Sequence, residues 1–429
     1  MYNYRAKFYL THKGESTLKL ELERSEFLKA WQTAEKYTPS KTTMEAINGI
    51  RITANEGIVT LEATDLKSSV KCTAKGVNVL EPGVAVLNAA IFGNMLRKSQ
   101  APTLTLTIKD EKGTLSADRS KSRFTVIPED TFPNIPESSE AEDICEILAG
   151  DLGRLIIEGS CAASQPSDFP KYLGTCLLRT SDTMLLAVST DGKRLACSQT
   201  LCISINKQNE DLLLTSAALR ELAKLFSGDD RVKILANSSV VWFRLDYAEF
   251  SVRRLDASFP KYEKILNDYV KTSMKVNKAA MVSAIDRVDV ISKTNPAHVM
   301  AMTLKPEGEL RITARSPELG TVSETLEAYI EGAPMQIGFN VTYFMDGLKS
   351  VDSEAMIIEF SEDEGQTRIF KDEGKDFLYM LMPVRLSPQD IVNDDDAADF
   401  VPDEQPEAPE NNEQPHEFGE GNYDNEAPF

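Results

Sequence analysis

Two hydrophobic periods alternate along the chain. Stretches in which apolar residues recur every three to four positions are typical of amphipathic helices, whereas alternation of apolar and polar residues is typical of strands with one buried face. A helical stretch, a strand hairpin, a short strand leading into a second helix and a further group of strands form an order that recurs three times, about every 125 residues. Helices are predicted at 24–37, 88–99, 148–160, 215–227, 276–293 and 340–350.

Each repeat predicts one domain with two helices and many antiparallel strands, so the chain is expected to be an α+β protein made of three tandem copies of that domain. Polar residues at the start of each second helix are candidate N-caps, because they can accept hydrogen bonds from free N–H groups. These candidates are Asn88, Thr215 or Ser216, and Asn340 or Thr342. The domains are expected at 18–140, 141–262 and 263–386, between an N-terminal extension at 1–17 and a tail at 387–429.

Composition favours a globular, cytoplasmic protein. Of the 429 residues 41% are hydrophobic, yet no run approaches the ~20 apolar residues that a membrane helix requires, and the charged N-terminus is unlike a signal peptide. The three histidines are scattered and the cysteines lack C-x-x-C spacing, so reduced buried thiols are expected, with no metal and no cofactor. The cysteines are Cys72, Cys145, Cys161, Cys176, Cys197 and Cys202.

Charge is distributed unevenly. The net charge of −20 argues at first against a nucleic-acid partner, but residues 387–429 contain fourteen Asp or Glu and no Lys or Arg, which leaves −6 for the rest. This acidic tail is rich in Pro and Asn and poor in aliphatic residues, so it is expected to be disordered. The six helical stretches hold twelve basic and eight acidic residues. Such helices suit a polyanionic partner, although ordinary solvated helix faces would give the same count.

The segment STDGKR (189–194) lies between two alternating apolar runs. Asp-Gly in that position predicts a tight hairpin turn, because glycine readily adopts the positive φ that the turn requires. The segment lacks the glycine-rich loop of a phosphate-binding P-loop. When the three repeats are aligned, Asp65, Asp191 and Ser316 fall at equivalent positions, and only the second copy carries Gly-Lys-Arg.

A serine hydrolase is the alternative to a binding protein. Ser258 and Lys261 fit the Ser-x-x-Lys pattern in which a lysine one helical turn away activates the serine. Pro260 lies inside the pattern, however, the surroundings are those of a strand end, and the partner motifs Ser-Asp-Asn and Lys-Thr-Gly are lacking. No other set of residues combines a nucleophile, a base and an oxyanion donor, which favours a protein without catalytic activity of its own.

Four segments carry a resemblance to a known family. TDGKRLA (190–196), SFPKYEKIL (258–266), IGFNVTYFMDGL (337–348) and YMLMPVRL (379–386) occur in the order and spacing found in bacterial DNA sliding clamps, the beta subunits of DNA polymerase III. The resemblance covers residues 18–386 and implies a head-to-tail homodimer whose six domains close into a ring, with helices lining the hole and strands forming the rim. A clamp-like protein of a phage or mobile element would show the same pattern.

The resemblance implies that the ring encircles duplex DNA and tethers the replicative DNA polymerase. A ring retains DNA by topology, so weak contacts from Lys and Arg to phosphates suffice, without sequence specificity. The residues expected to face DNA are Lys41, Arg97, Lys98, Arg154, Tyr172, Arg220, Lys224, Lys278, Arg287 and Lys349.

In the family, the second-domain hairpin and the C-terminal strand form a groove for linear peptides. The resemblance names as partners the clamp loader, the replicative and repair polymerases, ligase and mismatch-repair proteins. Aliphatic and Met side chains suit an adaptable apolar groove that a few polar groups orient. The expected lining is Leu173, Thr190, Gly192, Arg194, Leu195, Pro260, Ile265, Asn340, Tyr343, Met380, Met382, Pro383 and Arg385.

Closing a ring requires sheet edges to pair between subunits, which also protects them from aggregation. The resemblance places first-domain residues opposite third-domain residues in a seam that is partly ionic and partly apolar. The expected interface residues are Lys121, Arg123, Phe124, Val290, Ile291, Glu318 and Glu324.

Two features depart from the family. Lys193 stands where the family's hairpin often has His, and the acidic tail continues beyond Leu386, where family members normally end. One hypothesis is that the tail screens the groove or repels DNA from the outer face of the ring, and the other is that it only increases solubility.

Overall fold

One order of elements, β-α-β-β-β-β-β-α-β-β-β, occurs three times in succession in the computed structural model. The structure describes residues 17–39, 41–164, 170–205, 211–266, 269–361, 365–372, 374–388 and 390–392. The extension expected at 1–17 and the tail expected at 387–429 lie almost entirely outside these ranges. Residues up to Ile391 belong to one unit, and the description below concerns that unit. None of its described helices is long and apolar enough to cross a membrane.

The six helices form three pairs, one pair in each repeat. They are α1 Arg24–Glu35, α2 Ala89–Lys98, α3 Ala149–Gly159, α4 Ser216–Ala223, α5 Lys278–Ser292 and α6 Val341–Lys349. All six coincide with predicted helices, and α4 ends earlier than its hydrophobic period indicates. The Asn88 and Asn340 side chains accept hydrogen bonds from the backbone N–H groups of Ile91 and Tyr343, at 3.0 and 3.1 Å, so both N-caps are confirmed. Thr215 makes no such bond.

The described strands also divide into three sets of nine. The first repeat has β1 Thr17–Glu23, β2 Gly49–Asn55, β3 Ile58–Thr64, β4 Ser68–Ala74, β5 Val77–Glu81, β6 Gly83–Asn88, β7 Thr103–Lys109, β8 Lys112–Ala117 and β9 Ser120–Thr125. The second has β10 Glu142–Leu148, β11 Thr175–Ser181, β12 Met184–Thr190, β13 Arg194–Leu201, β14 Ile203–Ser204, β15 Asp211–Thr215, β16 Arg231–Ala236, β17 Val240–Arg244 and β18 Ala248–Arg253. The third has β19 Thr272–Asn277, β20 Val299–Lys305, β21 Glu309–Ser316, β22 Gly320–Glu327, β23 Tyr329–Gly332, β24 Met335–Asn340, β25 Ala355–Phe360, β26 Thr367–Lys371 and β27 Gly374–Leu381.

The α+β class and the three tandem copies of a two-helix, antiparallel domain are therefore confirmed. The sequence pattern missed two strands per copy, namely the strand that precedes the first helix (β1, β10 or β19) and the strand before the one that leads into the second helix (β5, β14 or β23). Glu23 ends β1 and Arg24 begins α1, so no turn residue separates the two hydrophobic periods. The same direct passage from strand to helix occurs at the start of α3 and α5.

Strand pairing joins the repeats into longer sheets. β4 of the first repeat pairs antiparallel with β18 of the second, and β13 of the second pairs with β27 of the third. Two nine-stranded sheets result, flanked by a five-stranded sheet in the first repeat and a four-stranded sheet in the third. Within the described part of the chain, β9 and β22 each pair on one side only, so each leaves a row of backbone groups without a partner strand.

The hydrophobic cores also extend across the junctions between repeats. The first two repeats share one core, in which Trp31 and Phe92 pack 4.8 Å apart and Tyr37 reaches Phe250 of the second repeat at 5.7 Å. The third repeat has its own core, into which Ala162 and Ala196 of the second repeat are packed. At both junctions the end of the first helix of one repeat therefore packs on the repeat that follows it.

Buried charge also crosses the second junction. The Glu158 side chain on α3 is 1% exposed, accepts a hydrogen bond from Ser198 Oγ at 2.6 Å and lies 2.7 Å from Lys371 Nζ of β26. Arg154 contacts both Glu158, at 3.2 Å, and Asp376 of β27, at 3.0 Å. The acidic and basic groups compensate one another, which offsets the cost of removing them from water.

We expect Glu158→Gln to lower the free energy of unfolding by about 1.5–3 kcal/mol, because it removes the closer of the two carboxylates that compensate the buried Lys371 ammonium and leaves only Asp376 at 3.2 Å. The matched control is Glu221→Gln, which breaks an exposed pair with Lys224 and should cost less than ~1 kcal/mol. The shift in the guanidinium unfolding midpoint measures both variants. Equal shifts would show that the junction network contributes no more than a surface pair.

Candidate functional site

The hairpin between β12 and β13 is held by its own polar residues. Thr190 Oγ1 donates to the Arg194 carbonyl at 2.7 Å and accepts from the Gly192 N–H at 3.1 Å. Asp191 Oδ1 accepts from the N–H groups of Lys193 and Arg194 at 2.9 and 3.1 Å. Gly192 has φ +86°, so the predicted tight turn with a positive φ at this residue is confirmed.

The equivalent turn of the first repeat has the same geometry. Thr64 Oγ1 donates to the Ser68 carbonyl at 2.8 Å, and Asp65 Oδ1 accepts from the N–H groups of Lys67 and Ser68 at 2.9 and 2.6 Å. Leu66, at φ +72°, takes the position of the glycine. The turn is therefore a property of the repeat, and whatever is special in the second repeat comes from Lys193, Arg194 and their surroundings.

Arg194 connects the hairpin to the third repeat. Its guanidinium pairs with Asp191 at 2.9 Å and with Asp346 of α6 at 2.6 Å, and lies 4.4 Å from the ring centre of Tyr343. It also donates to the Tyr379 hydroxyl at 3.3 Å. Burial raises the pKa of the Tyr379 phenol well above its usual range, so this hydroxyl stays neutral and donates to the Tyr343 carbonyl at 2.6 Å.

An apolar cluster distinct from the domain cores lies beside this hairpin. Leu195 and Met380, directly paired across β13 and β27, are buried in it. Leu177, Val188, Leu213 and Tyr262 complete its buried part. The linker between the second and third repeats covers one side, since Leu255, Phe259 and Leu266 pack against the cluster.

The predicted groove residues differ in burial. Thr190, Arg194, Leu195 and Met380 are buried. Leu173, Asn340, Tyr343 and Pro383 are half-buried, and Asn340 caps α6. Gly192, Pro260, Ile265, Met382 and Arg385 are exposed. The Met382 N–H donates to the Lys193 carbonyl at 2.9 Å, which fixes the C-terminal strand against the hairpin.

Sequence reasoning missed the floor of this site. Leu177 and Val188 are directly paired on β11 and β12, and Leu213 lies on the neighbouring β15. These strands carry apolar residues on both faces, and that pattern could have indicated the site. One side of such a strand packs against the helices, and the other side packs in the cluster. Tyr262 lies within the segment SFPKYEKIL but was not among the predicted groove residues.

The junction between the first and second repeats has a polar site at the equivalent positions. Leu177 and Val188 correspond to Arg51 and Glu62, which are paired at the same positions of β2 and β3. Leu195 and Met380 correspond to Ser69 and Ser251, whose hydroxyl oxygens lie 2.5 Å apart. A cavity of about 750 Å³ lies over these polar residues and is bordered by the linker at 134–139. Only the second junction therefore offers an apolar floor.

The cations expected to face DNA lie mostly on exposed helix faces, but many are already paired. Arg97 pairs with Glu35, Lys224 with Glu221, Arg287 with Glu324 and Lys349 with Asp286, at 2.6–3.3 Å. Arg220 donates to Ser160 Oγ at 3.0 Å, and Lys278 Nζ donates to the Val351 carbonyl. Lys41 and Lys98 are exposed and have no ion-pair partner among the described residues.

Two of these predicted residues already make contacts at the second junction. Arg154 is held in the buried network of Glu158 and Asp376, because α3 turns that face towards β13 and β27. Tyr172 packs edge-on against Phe259 at 6.2 Å in the apolar cluster beside the hairpin. The contact of Arg154 and Tyr172 with DNA stays a prediction.

The residues expected at a dimer seam lie at the two open sheet edges or close to them. Lys121 and Arg123 are exposed on β9, and Phe124 is half-buried against Phe92 at 5.7 Å. Glu324 lies on β22 and is bound by Arg287, which lowers the pKa of its carboxyl group. The remaining three are Val290, which is 68% exposed, Ile291, which is half-buried, and Glu318, which is exposed in the turn before β22.

Catalytic geometry is not found at Ser258. Ser258 and Lys261 are both exposed in the linker after β18, and no hydrogen bond joins these two described residues. The cysteines among the described residues are free, and burial raises the pKa of the Cys161 thiol to about 11 and that of Cys176 to about 12. These thiols are protonated near neutral pH and are poor nucleophiles. The hydrolase alternative has no support.

Models of known protein families match the three repeats in order. The matches are to the N-terminal domain of the DNA polymerase III beta subunit at residues 18–136, to its central domain at 147–261 and to its C-terminal domain at 263–385. With the repeated fold, these matches define a three-domain sliding clamp. The chain belongs to the family of the DNA polymerase III beta subunit.

Individual relatives agree. The beta sliding clamp of Staphylococcus epidermidis is 26% identical over 353 residues, which is 80% of this chain and 93% of that protein. The clamp of Staphylococcus aureus is 24% identical and covers 86% and 99%. The crystal structure of the Bacillus subtilis clamp superposes with a TM-score of 0.82 at 24% identity, over 87% of this chain and all of that one. The Pseudomonas aeruginosa clamp bound to griselimycin gives 0.80 at 22% identity, over 86% and 100%.

Proposed function

We propose that two copies of this chain close head to tail into a ring that encircles duplex DNA and tethers the replicative polymerase in the bacterial cytoplasm. The observation that carries the proposal is that two of the sheet-edge strands, β9 and β22, are of the same kinds as the strands that pair at the internal junctions. At each internal junction the third strand of the first meander of one repeat pairs with the last strand of the next repeat. Strand β22 is the third strand of the first meander of its repeat, and β9 is the last strand of its repeat. Pairing of β22 in one copy with β9 in another copy therefore forms a third junction of the same kind.

The surroundings of both edges support this pairing. A cavity of about 590 Å³ lies beside β9 and is lined by Met95 and Lys98 of α2 and by Leu115 of β8. In the internal junctions the equivalent place receives the end of a first helix from the neighbouring repeat. The end of α5 carries the exposed Val290, which fits that role. Lys121 and Arg123 of one copy then lie close to the acidic residues of β22 in the other, although Glu324 is already bound by Arg287.

DNA contact is proposed through the helix faces. Exposed ion pairs such as Arg97–Glu35 and Lys224–Glu221 contribute little to stability, so their cations can exchange to a phosphate at low cost. Lys41 and Lys98 are available without exchange. Contacts of this kind are weak and independent of sequence, which suits a protein that slides and needs no chemistry of its own.

The apolar cluster at the second junction is proposed as the docking groove for linear peptides of the clamp loader, the polymerases, ligase and mismatch-repair proteins. Its buried floor of Leu195, Met380 and Leu177 offers apolar area, and the exposed Met382 and Ile265 at its rim can adapt to different side chains. The buried Arg194 connects the walls of the groove through Asp346 and Tyr343. A preorganised site of this kind loses little entropy when it binds.

Retention on DNA tests the ring directly. Once loaded, the protein should remain bound to nicked circular DNA in moderate salt and should leave the same DNA within minutes after it is linearised, because a topological link needs no strong contacts. Gel filtration of labelled protein with DNA measures the retained fraction. Equal loss from circular and linear DNA would contradict encirclement.

Two proline variants test the edge pairing. Successive residues of a strand direct their N–H groups to opposite sides. Ser122 and Arg123 are neighbours on β9, so one of the two N–H groups points to β8 and the other points to the open edge. One of the variants Ser122→Pro and Arg123→Pro therefore removes a donor to β8, and the other removes a donor on the open edge. We expect the open-edge variant to dissociate the dimer while leaving the unfolding midpoint nearly unchanged, and the other to lower that midpoint. Sedimentation at micromolar and nanomolar concentrations measures the dimer. A wild-type protein that is monomeric at both concentrations would contradict the proposal.

A pair of glycine variants tests the groove. An added Cβ at Gly192, at φ +86°, or at Gly228, at φ +73°, meets no atom within 4 Å, so each alanine variant should lose a similar ~1 kcal/mol of stability through backbone strain alone. Only Gly192→Ala should also weaken binding of a clamp-binding peptide, by up to about fivefold, because its turn holds Lys193 and Arg194 in the groove wall. Fluorescence anisotropy measures the affinity. The same peptide affinity in both variants would argue against a role of this hairpin in docking.

A further inference from the structure

Four lysines surround the proposed groove. Lys193 is exposed in the hairpin turn, with its Nζ 5.7 Å from the ring centre of Tyr343. Lys171 is exposed in the turn that carries Tyr172, and Lys261 and Lys264 are exposed on the linker, on either side of Tyr262. None of the four has an ion-pair partner in the part of the chain that the structure describes. They therefore leave uncompensated positive charge next to an apolar floor.

The carboxylates near the groove already form ion pairs with arginine side chains. Asp191 and Asp346 both bind the Arg194 guanidinium, at 2.9 and 2.6 Å. Glu263 binds Arg179 at 2.9 Å, together with Asp211 at 2.6 Å. Among the described residues near the groove, Asp256, exposed on the linker, has no ion-pair partner. The rim of the groove is therefore locally cationic, on a chain whose net charge is −20.

The polar site at the first junction shows that this arrangement is not a general feature of the repeats. There Arg51 and Lys71 both lie beside Glu62, at 2.7 and 3.6 Å, and Arg244 pairs with Glu249 at 2.7 Å. The cations of the first junction are compensated and its floor is polar, whereas the second junction combines an apolar floor with free cations. That combination matches a ligand with apolar anchors and negative charge beside them.

We propose that the groove selects linear peptides whose apolar anchor residues are flanked by Asp or Glu, and that Lys193 determines this preference. The inference rests on the groove assigned under the proposed function and specifies the chemistry of its ligand. Lys193 is suited to the role because its carbonyl accepts the Met382 N–H at 2.9 Å, which fixes its backbone on the groove wall, while its side chain extends over Tyr343. Lys261 and Lys264 contribute to the same field from the opposite, linker side.

The test uses synthetic peptides and the full chain. A peptide array that varies aliphatic and aromatic anchor positions identifies a binder, which is then made in two forms that carry either Glu or Gln at the four flanking positions. We expect the Glu form to bind about five- to tenfold more tightly at low ionic strength, and the ratio to fall towards one at high salt because exposed charges are screened. Fluorescence anisotropy gives both affinities.

A matched pair of variants assigns the preference to one residue. Lys193→Gln should reduce the ratio of the two affinities about threefold, the size expected for one exposed charge contact, and any change in affinity that is common to both peptide forms cancels in that ratio. Lys67→Gln is the control, because Lys67 occupies the same position in the equivalent turn of the first repeat, with its N–H 2.9 Å from Asp65 Oδ1. It should leave both affinities unchanged.

The outcomes separate the inference from the function on which it rests. Equal binding of the Glu and Gln forms, or an equal effect of Lys193→Gln and Lys67→Gln, would overturn the charge preference while the groove itself stands. If no peptide of the array binds the wild-type chain, and griselimycin does not bind either, the groove is overturned and the preference with it.

Discussion

Backbone pairing across repeat boundaries is the constraint on which the rest of this structure depends. An edge strand with free N–H and C=O groups must pair, be covered or be exposed to water, and the chain pairs two of its edges internally through β4 with β18 and β13 with β27. Each pairing joins strands of two repeats into one sheet and brings the end of a first helix onto the next repeat. Two further edge strands, β9 and β22, are of the same two kinds as the strands that pair at these junctions.

Because the junctions are built alike, their differences show what each one contributes. At one set of equivalent strand positions the first junction has Arg51, Glu62, Ser69 and Ser251, and the second has four apolar residues. Backbone pairing is the same in both, so the side chains alone make one junction a polar surface beneath a cavity and the other an apolar cluster. A repeated fold can in this way acquire a function at one joint without altering the pairing that holds all of them.

The sequence predicted the elements that have a clear period. All six helices and the capping role of Asn88 and Asn340 followed from local patterns, and so did the turn at Gly192, because its requirement for positive φ is local. The strands β1, β10 and β19 were missed because each runs into a helix without a turn. The contacts of Arg154 could not be predicted, because its partner Asp376 lies more than two hundred residues away, where no local pattern indicates it.

The same distinction explains why the groove was only partly predictable. Its rim lies on segments with turns and prolines, which are conspicuous in a sequence, whereas its floor comes from strands that are apolar on both faces and look like ordinary core. Leu177 and Val188 became part of a site only when β27 of the third repeat placed Met380 beside Leu195. The buried Arg194 likewise depends on residues from two repeats. Its charge is compensated by Asp191 of its own turn and by Asp346 of a distant helix, which offsets the cost of burying it. The groove is thus a consequence of strand pairing between repeats, and a variant that weakened that pairing would remove the floor before it disturbed the hairpin.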